Sequence, residues 1–89
     1  MSECTDTREL TLGEKRCHTS FNPSEDSDID KFKRMCADAI DFMNELSQKQ
    51  KLRSDSNSGE IIRCFSIAMT EIETAQMYGV KAIAKNLTE

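Results

Sequence analysis

The stretch GEIIRCFSIAMTEIETAQMYGVKAIAK, Gly59 to Lys85, decides the fold. Apolar or small residues recur at Ile62, Phe65, Met69, Ile72, Gly79, Val80 and Ile83, mostly three and four apart with one two-turn step from Ile72 to Gly79. That spacing is the signature of an amphipathic helix. A second column, Ile61, Ala68, Ala75 and Ala82, runs beside the first and predicts close approach of another helix along this edge. No proline interrupts the stretch. At 1.5 Å per residue it spans roughly 40 Å. So long a helix in a chain of 89 residues is the spine of the protein. Its apolar face is too long to cover itself and calls for partners.

Upstream, a second helix is predicted from about Asp28 to Lys51, with Ser27 as N-cap and Asp28 and Asp30 in the first turn. Ile29, Phe32, Cys36, Ala39, Met43 and Leu46 form its stripe. Ile40 widens that stripe on one side, and Met35 and Phe42 on the other. The width exceeds a two-helix seam and favours assembly. Lys31, Lys33 and Arg34 are expected to project from the first turns. Between the helices, Leu52 to Gly59 reads as a turn rich in serine, asparagine and glycine. Ser58 or Gly59 is expected to cap the spine, which ends near Asn86. The fold class is therefore all-α: an antiparallel helical hairpin with a short N-terminal arm, assembling into a homo-oligomer. Residues 1–27 form the arm and turn that contribute to a pocket, and residues 28–89 the hairpin domain.

The arm is polar. Arg8, Leu10 and Leu12 are available for pairing, and Gly13 is expected to break any helix that starts there. Gly13 to Asp28 then holds a local cationic cluster of Lys15, Arg16 and His18, followed by Phe21. Asn22, Pro23 and Ser24 carry a turn signal. One reading of this segment is a linker that packs Phe21 on the helices.

Composition excludes several function classes. A net charge of −4 argues against a general DNA or long-RNA binder. The first ten residues have no signal-peptide core, and no run reaches membrane-spanning length. A cytosolic, reducing compartment follows. Four cysteines contain no CxxC pair, and adjacent Cys17 and His18 make a poor zinc half-site. Cys36 and Cys64 are read as reduced core residues. Neither a metal nor a cofactor is expected. His18 is the single histidine, no glycine-rich phosphate loop is present, and the carboxylates are scattered. The chain is read as a non-enzyme.

Anion recognition needs cations, donors and flat faces for bases. Arg16, His18, Phe21, Asn22, Ser24 and Lys33 supply all three. A second polar ladder, Arg63, Ser66 and Thr70, lies on the spine with Thr74 beyond it. It is either a hydrated stripe or, on a symmetry axis, a ring of donors.

Two passages carry a resemblance. They are SFNPSEDSDIDKFK, Ser20 to Lys33, and TEIETAQMYGVKAIAKN, Thr70 to Asn86. In this order and spacing the chain resembles the phage anti-CBASS sponges, small proteins that sequester cyclic oligonucleotides. The likeness is to the T4-like phage branch, and the hairpin is similar to one in sponges that inhibit the Thoeris defence. The resemblance implies a compact homohexamer in the cytoplasm of the infected host. It also implies that cyclic dinucleotides such as cyclic GMP-AMP bind between N-terminal regions of paired protomers, and cyclic trinucleotides at separate threefold sites. Lys33 falls on the family's phosphate-binding lysine, and His18 at or near its base-stacking aromatic. Arg63 falls on the trinucleotide-binding arginine, with Ser66 and Thr70 as companions. The competing class is a helical-hairpin oligomerisation or adaptor module that docks a protein partner.

Overall fold

The computed structural model describes residues 9–20, 26–53 and 56–88, with side chains through residue 85. Three helices follow one another: α1 (Leu12–Cys17), α2 (Ser27–Arg53) and α3 (Ser58–Thr88). No strand occurs among the described residues. α2 and α3 form an antiparallel hairpin. Near its start α2 brings the Phe32 ring against Gly79 of α3. Near its end, Gln50 Nε2 donates to Ser58 Oγ at 2.9 Å, closing the hairpin beside its turn.

Both long helices overrun the expected bounds. α2 continues through Leu52 and Arg53, and α3 begins at Ser58, so the connection is shorter than Leu52 to Gly59. The Asn57 carbonyl accepts the Ile61 amide at 3.1 Å, which places the cap position of α3 before Ser58 rather than on Ser58 or Gly59. α3 also runs past Asn86 to Thr88. The start of α2 is corrected by one residue. Asp26 Oδ1 accepts the amides of Asp28 at 2.7 Å and Ile29 at 3.2 Å, so Asp26 caps the helix and Ser27 lies inside it. A carboxylate there satisfies two orphan amides and also suits the positive end of the dipole.

α1 is the element that the sequence reading missed. Thr11 Oγ1 accepts the Glu14 amide at 3.1 Å, and Glu14 Oε1 accepts the Thr11 amide at 2.8 Å. This reciprocal capping box starts a helix through Gly13 rather than broken by it. Glycine is required there for proximity. A Cβ on Gly13 would overlap the carbonyl oxygen of Ala37 and lie 2.7 Å from its carbonyl carbon. The Gly13 amide also donates to Asp41 Oδ1 at 2.8 Å. α1 is thus pressed backbone to backbone onto α2.

Cys17, Cys36, Ala37, Ile40 and Met69 form the core, with Leu12, Phe32, Met43 and Ile72 packed around it. Burial pushes the Cys17 thiol up to about 11, aided by the neighbouring Cys36 and Glu73, and it raises the Cys36 thiol as well. Both stay protonated at neutral pH. Cys64 was expected in this core and is instead exposed, its thiol 3.6 Å from Glu60 Oε2. The column of small residues is likewise only half used. Ile61 and Ala68 are partly covered, whereas Ala75 and Ala82 are exposed. Met35, Phe42, Met77 and Tyr78 are also more than half exposed.

Candidate functional site

α1 ends in a sharp elbow that positions the first group of candidate residues. His18 is its C-cap, in the left-handed conformation with φ 51° and ψ 52°. Its amide donates to the Glu14 carbonyl, and the Thr19 amide reaches the same oxygen at 3.3 Å. These bonds satisfy the end of a helix too short to hold itself. The His18 imidazole is on an exposed residue, while its carbonyl turns inward.

Lys33 meets that carbonyl. Its Nζ donates to His18 O at 3.1 Å, joining the start of α2 to the elbow across fifteen positions of sequence. Lys33 is only 4% exposed, so it does not project from α2 as Lys31 does. The reason is local: an ammonium is best placed where helix carbonyls run out of partners, and the end of α1 offers one. The fold therefore brings His18 and Lys33 together.

Arg16 faces elsewhere. Its Nε lies 3.9 Å from Glu73 Oε1, so it reaches from α1 toward α3. Phe21, Asn22 and Ser24 lie outside the described residues.

A frame of charges that the sequence reading did not single out surrounds the elbow. Glu14 is only 6% exposed, and its Oε2 accepts Arg34 Nη1 at 3.0 Å. Arg34 also meets Asp38 Oδ1 through Nε at 3.0 Å and Nη2 at 2.9 Å. Its guanidinium is held more firmly protonated, chiefly by the bond to Glu14, against the opposing effect of burial and with further help from Asp38. The Thr11 and Glu14 spacing of a capping box was the available signal for this cluster. Beside it opens a groove of about 720 Å³ lined by Leu10, Glu14, Thr19, Ser20, Asp30, Lys31, Arg34 and Met35. It combines apolar walls, hydroxyls and charges of both signs next to the elbow.

The second group stands apart on α3. Arg63, Ser66 and Thr70 are all exposed, three and four positions apart on one side of the helix. Arg63 Nη2 pairs with Glu60 Oε2 at 2.8 Å, which lowers the carboxyl of Glu60 and raises the guanidinium of Arg63. Thr70 Oγ1 donates to the Ser66 carbonyl at 3.1 Å, and Thr74 repeats the pattern onto Thr70 at 3.1 Å. Each hydroxyl donor is taken, but its oxygen still offers acceptor capacity. Gly79 marks where α3 passes Phe32 at the start of α2. Arg63 lies about 24 Å along the helix from that point. The two groups of residues therefore lie far apart in one chain.

Among the described residues there is no cluster of histidine, cysteine or carboxylate fit to hold a metal, and no helix long and apolar enough to cross a membrane.

The family model described as Acb2/Tad1, hairpin domain, matches residues 18–84. The matched segment starts at the elbow and covers nearly all of α2 and α3. The chain belongs to the Acb2/Tad1 hairpin family. This is the anti-CBASS sponge family expected from Ser20 to Lys33 and Thr70 to Asn86, whose members bind messengers rather than transform them. No curated protein and no solved structure matches the chain. Family membership suggests a cyclic-nucleotide sponge. α1, with Glu14 and Arg16, lies before the matched segment.

Proposed function

We propose that this chain is a phage anti-defence protein that sequesters cyclic di- and trinucleotide messengers, cyclic GMP-AMP among them. It thereby prevents activation of CBASS effectors in the cytoplasm of the infected host. The observation that carries the reading is the family match over the segment in which Lys33 reaches the His18 elbow. A cyclic dinucleotide is two phosphates and two bases in near-twofold symmetry. A pair of protomers presents Lys33 and His18 twice, in the same symmetry. An ammonium is a compact positive charge that attracts phosphate, and the fold carries the one on Lys33 to the elbow. The exposed imidazole offers a flat face to a base, worth about 1–3 kcal/mol by stacking. Phe21, Asn22 and Ser24 complete the dinucleotide pocket in this reading, whereas Arg16 turns toward Glu73 of α3. Residues 1–27 act as its arm and turn, and residues 28–89 as the hairpin that carries it.

Assembly is part of the proposal. Met35, Phe42, Met77, Tyr78 and the Ala75 and Ala82 edge are exposed in one chain, which supports burial against further copies; the homohexamer is the assembly that the family resemblance implies. Arg63, Ser66 and Thr70 from several copies then form rings of donors for cyclic trinucleotides. Sequestration lowers free messenger by mass action and requires no catalytic group.

Thermal unfolding against a panel of cyclic dinucleotides, cyclic trinucleotides and linear mononucleotides tests this, with mass measured by light scattering. A sponge gains stability selectively with cyclic species, by about 2.7 kcal/mol at a hundredfold excess over Kd. It also returns the nucleotide intact after heat denaturation. Linearised nucleotide in the eluate would make the protein an enzyme. A stable monomer at micromolar concentration would remove the shared pockets. Indifference to every nucleotide would leave the exposed apolar residues to an adaptor that binds a protein partner.

The two-site arrangement makes its own prediction. Arg63→Ala should weaken cyclic-trinucleotide binding by about tenfold or more, the loss of a charged hydrogen bond, and spare dinucleotides. Arg63 is exposed and its pair with Glu60 is at the surface, so folding should hardly change. Calorimetry with both ligands decides. Equal loss of both in a still-assembled variant would contradict two sites.

A further inference from the structure

Glu14 is buried, charged and bonded in three directions, yet it contributes nothing to the list of residues that face a messenger. Its Oε1 accepts Thr11 N–H, its Oε2 accepts Arg34, and its main-chain oxygen accepts the amides of His18 and Thr19. We propose that Glu14 is a positioning residue for the dinucleotide site: with Arg34 it fixes the α1 elbow on α2 so that the His18 ring and the Lys33 ammonium address one ligand. This rests on the sponge reading above.

The physical need is plain. A six-residue helix has no independent stability, so its place is set by what ties it down. Cys17 anchors it in the core, and Gly13 lies against Ala37. Those contacts seat the buried side of α1, from Gly13 to Cys17 at its end. Its outer side is tied to α2 by the Glu14 carboxylate, because one group grips both the entry to α1 and the guanidinium on α2. With both sides held, the rotation of α1, and with it the elbow at His18, is set. Charge-assisted bonds to a planar guanidinium are strong and directional. Arg34 in turn is steadied by Asp38. Glu14 and Arg34 also line the groove beside the elbow, together with Thr19 and Ser20. A shift of α1 therefore changes the groove wall and the Lys33 contact together.

Glu14→Gln separates the two grips. Glutamine preserves a capping box and can still accept Thr11 N–H. Its amide nitrogen, however, would face the Arg34 donors. Calorimetry with cyclic GMP-AMP and with a cyclic triadenylate reads the effect. The expected result is about tenfold weaker dinucleotide binding, the equivalent of one hydrogen bond, with trinucleotide binding unchanged. Arg34→Lys, a change at a half-exposed side chain, keeps the charge and loses the fork. It should give the same selective loss and serves if Glu14→Gln fails to fold. Unchanged dinucleotide affinity in a folded variant would overturn the proposal, and equal loss of both ligands would reduce Glu14 to a purely structural role. Wild-type protein that binds neither ligand would overturn the sponge reading itself and this inference with it.

Discussion

Replacing Lys33 by alanine is expected to weaken cyclic-dinucleotide binding by roughly 10- to 150-fold, the range for losing a hydrogen bond to a charged group. The loss is greater if two copies of Lys33 serve one ligand across a twofold axis. Burial adds a second consequence. Lys33 is only 4% exposed, and its ammonium donates to the His18 carbonyl, so its removal also leaves that carbonyl short of a donor. A surface lysine would be silent in unfolding experiments. This one should lower stability by about 1–3 kcal/mol, the penalty for an unsatisfied buried group. Trinucleotide binding is the internal control, because Arg63 lies far along α3. Titration calorimetry with both ligands, together with denaturant unfolding, measures both effects. Dinucleotide affinity equal to wild type would remove Lys33 from the site. An unchanged unfolding curve would deny the bond to His18.

Gly13→Ala should destabilise the chain, although alanine is the better helix former by about 1 kcal/mol. The added methyl would overlap the Ala37 carbonyl oxygen, and a backbone atom of a 27-residue helix has no room to give. Overpacking of this kind typically costs about 1–3 kcal/mol. α1 must lift off α2, taking the Gly13 bond to Asp41 with it. The elbow moves as a result, so dinucleotide affinity falls while trinucleotide affinity holds. Gly59→Ala is the matched control. It sits in the first turn of α3 with nothing within 4 Å of an added Cβ, and alanine there should be neutral or slightly stabilising. Circular-dichroism melts of the two variants settle the comparison. A stabilised Gly13→Ala would mean that α1 does not rest on Ala37.

The candidate site was partly legible before folding. His18 and Lys33 were singled out from local chemistry and from the resemblance, and the structure joins them by a bond between positions fifteen apart. That bond is not a periodic feature, so no pattern along the chain announces it. Glu14 was passed over, and Arg34 was read only as a projecting cation, for a related reason. Each looks like an ordinary surface charge until α1 is laid against α2. The six-residue α1 is too short for periodicity to register, and glycine at its second position masked the capping box around it.

The sequence by itself determined the two long helices and their antiparallel pairing. Apolar residues at helical spacing from Ile29 to Leu46 and from Ile62 to Ile83 add up to a signal that one misplaced residue cannot erase. It also determined the burial of Cys36, near the middle of its stripe. Only the tertiary structure decided which flank of each stripe found a neighbour. Cys64 stays exposed, and so do Ala75 and Ala82 at the small-residue edge, because α2 and the short α1 cover only a limited arc of α3. Lys33 was buried by the same kind of choice. Once α1 docks through Gly13, its open carbonyl end lies over the first turns of α2, and the long stem of Lys33 reaches it. A helix fixes the direction of its side chains locally, but what those side chains meet is set by where the next helix comes to rest.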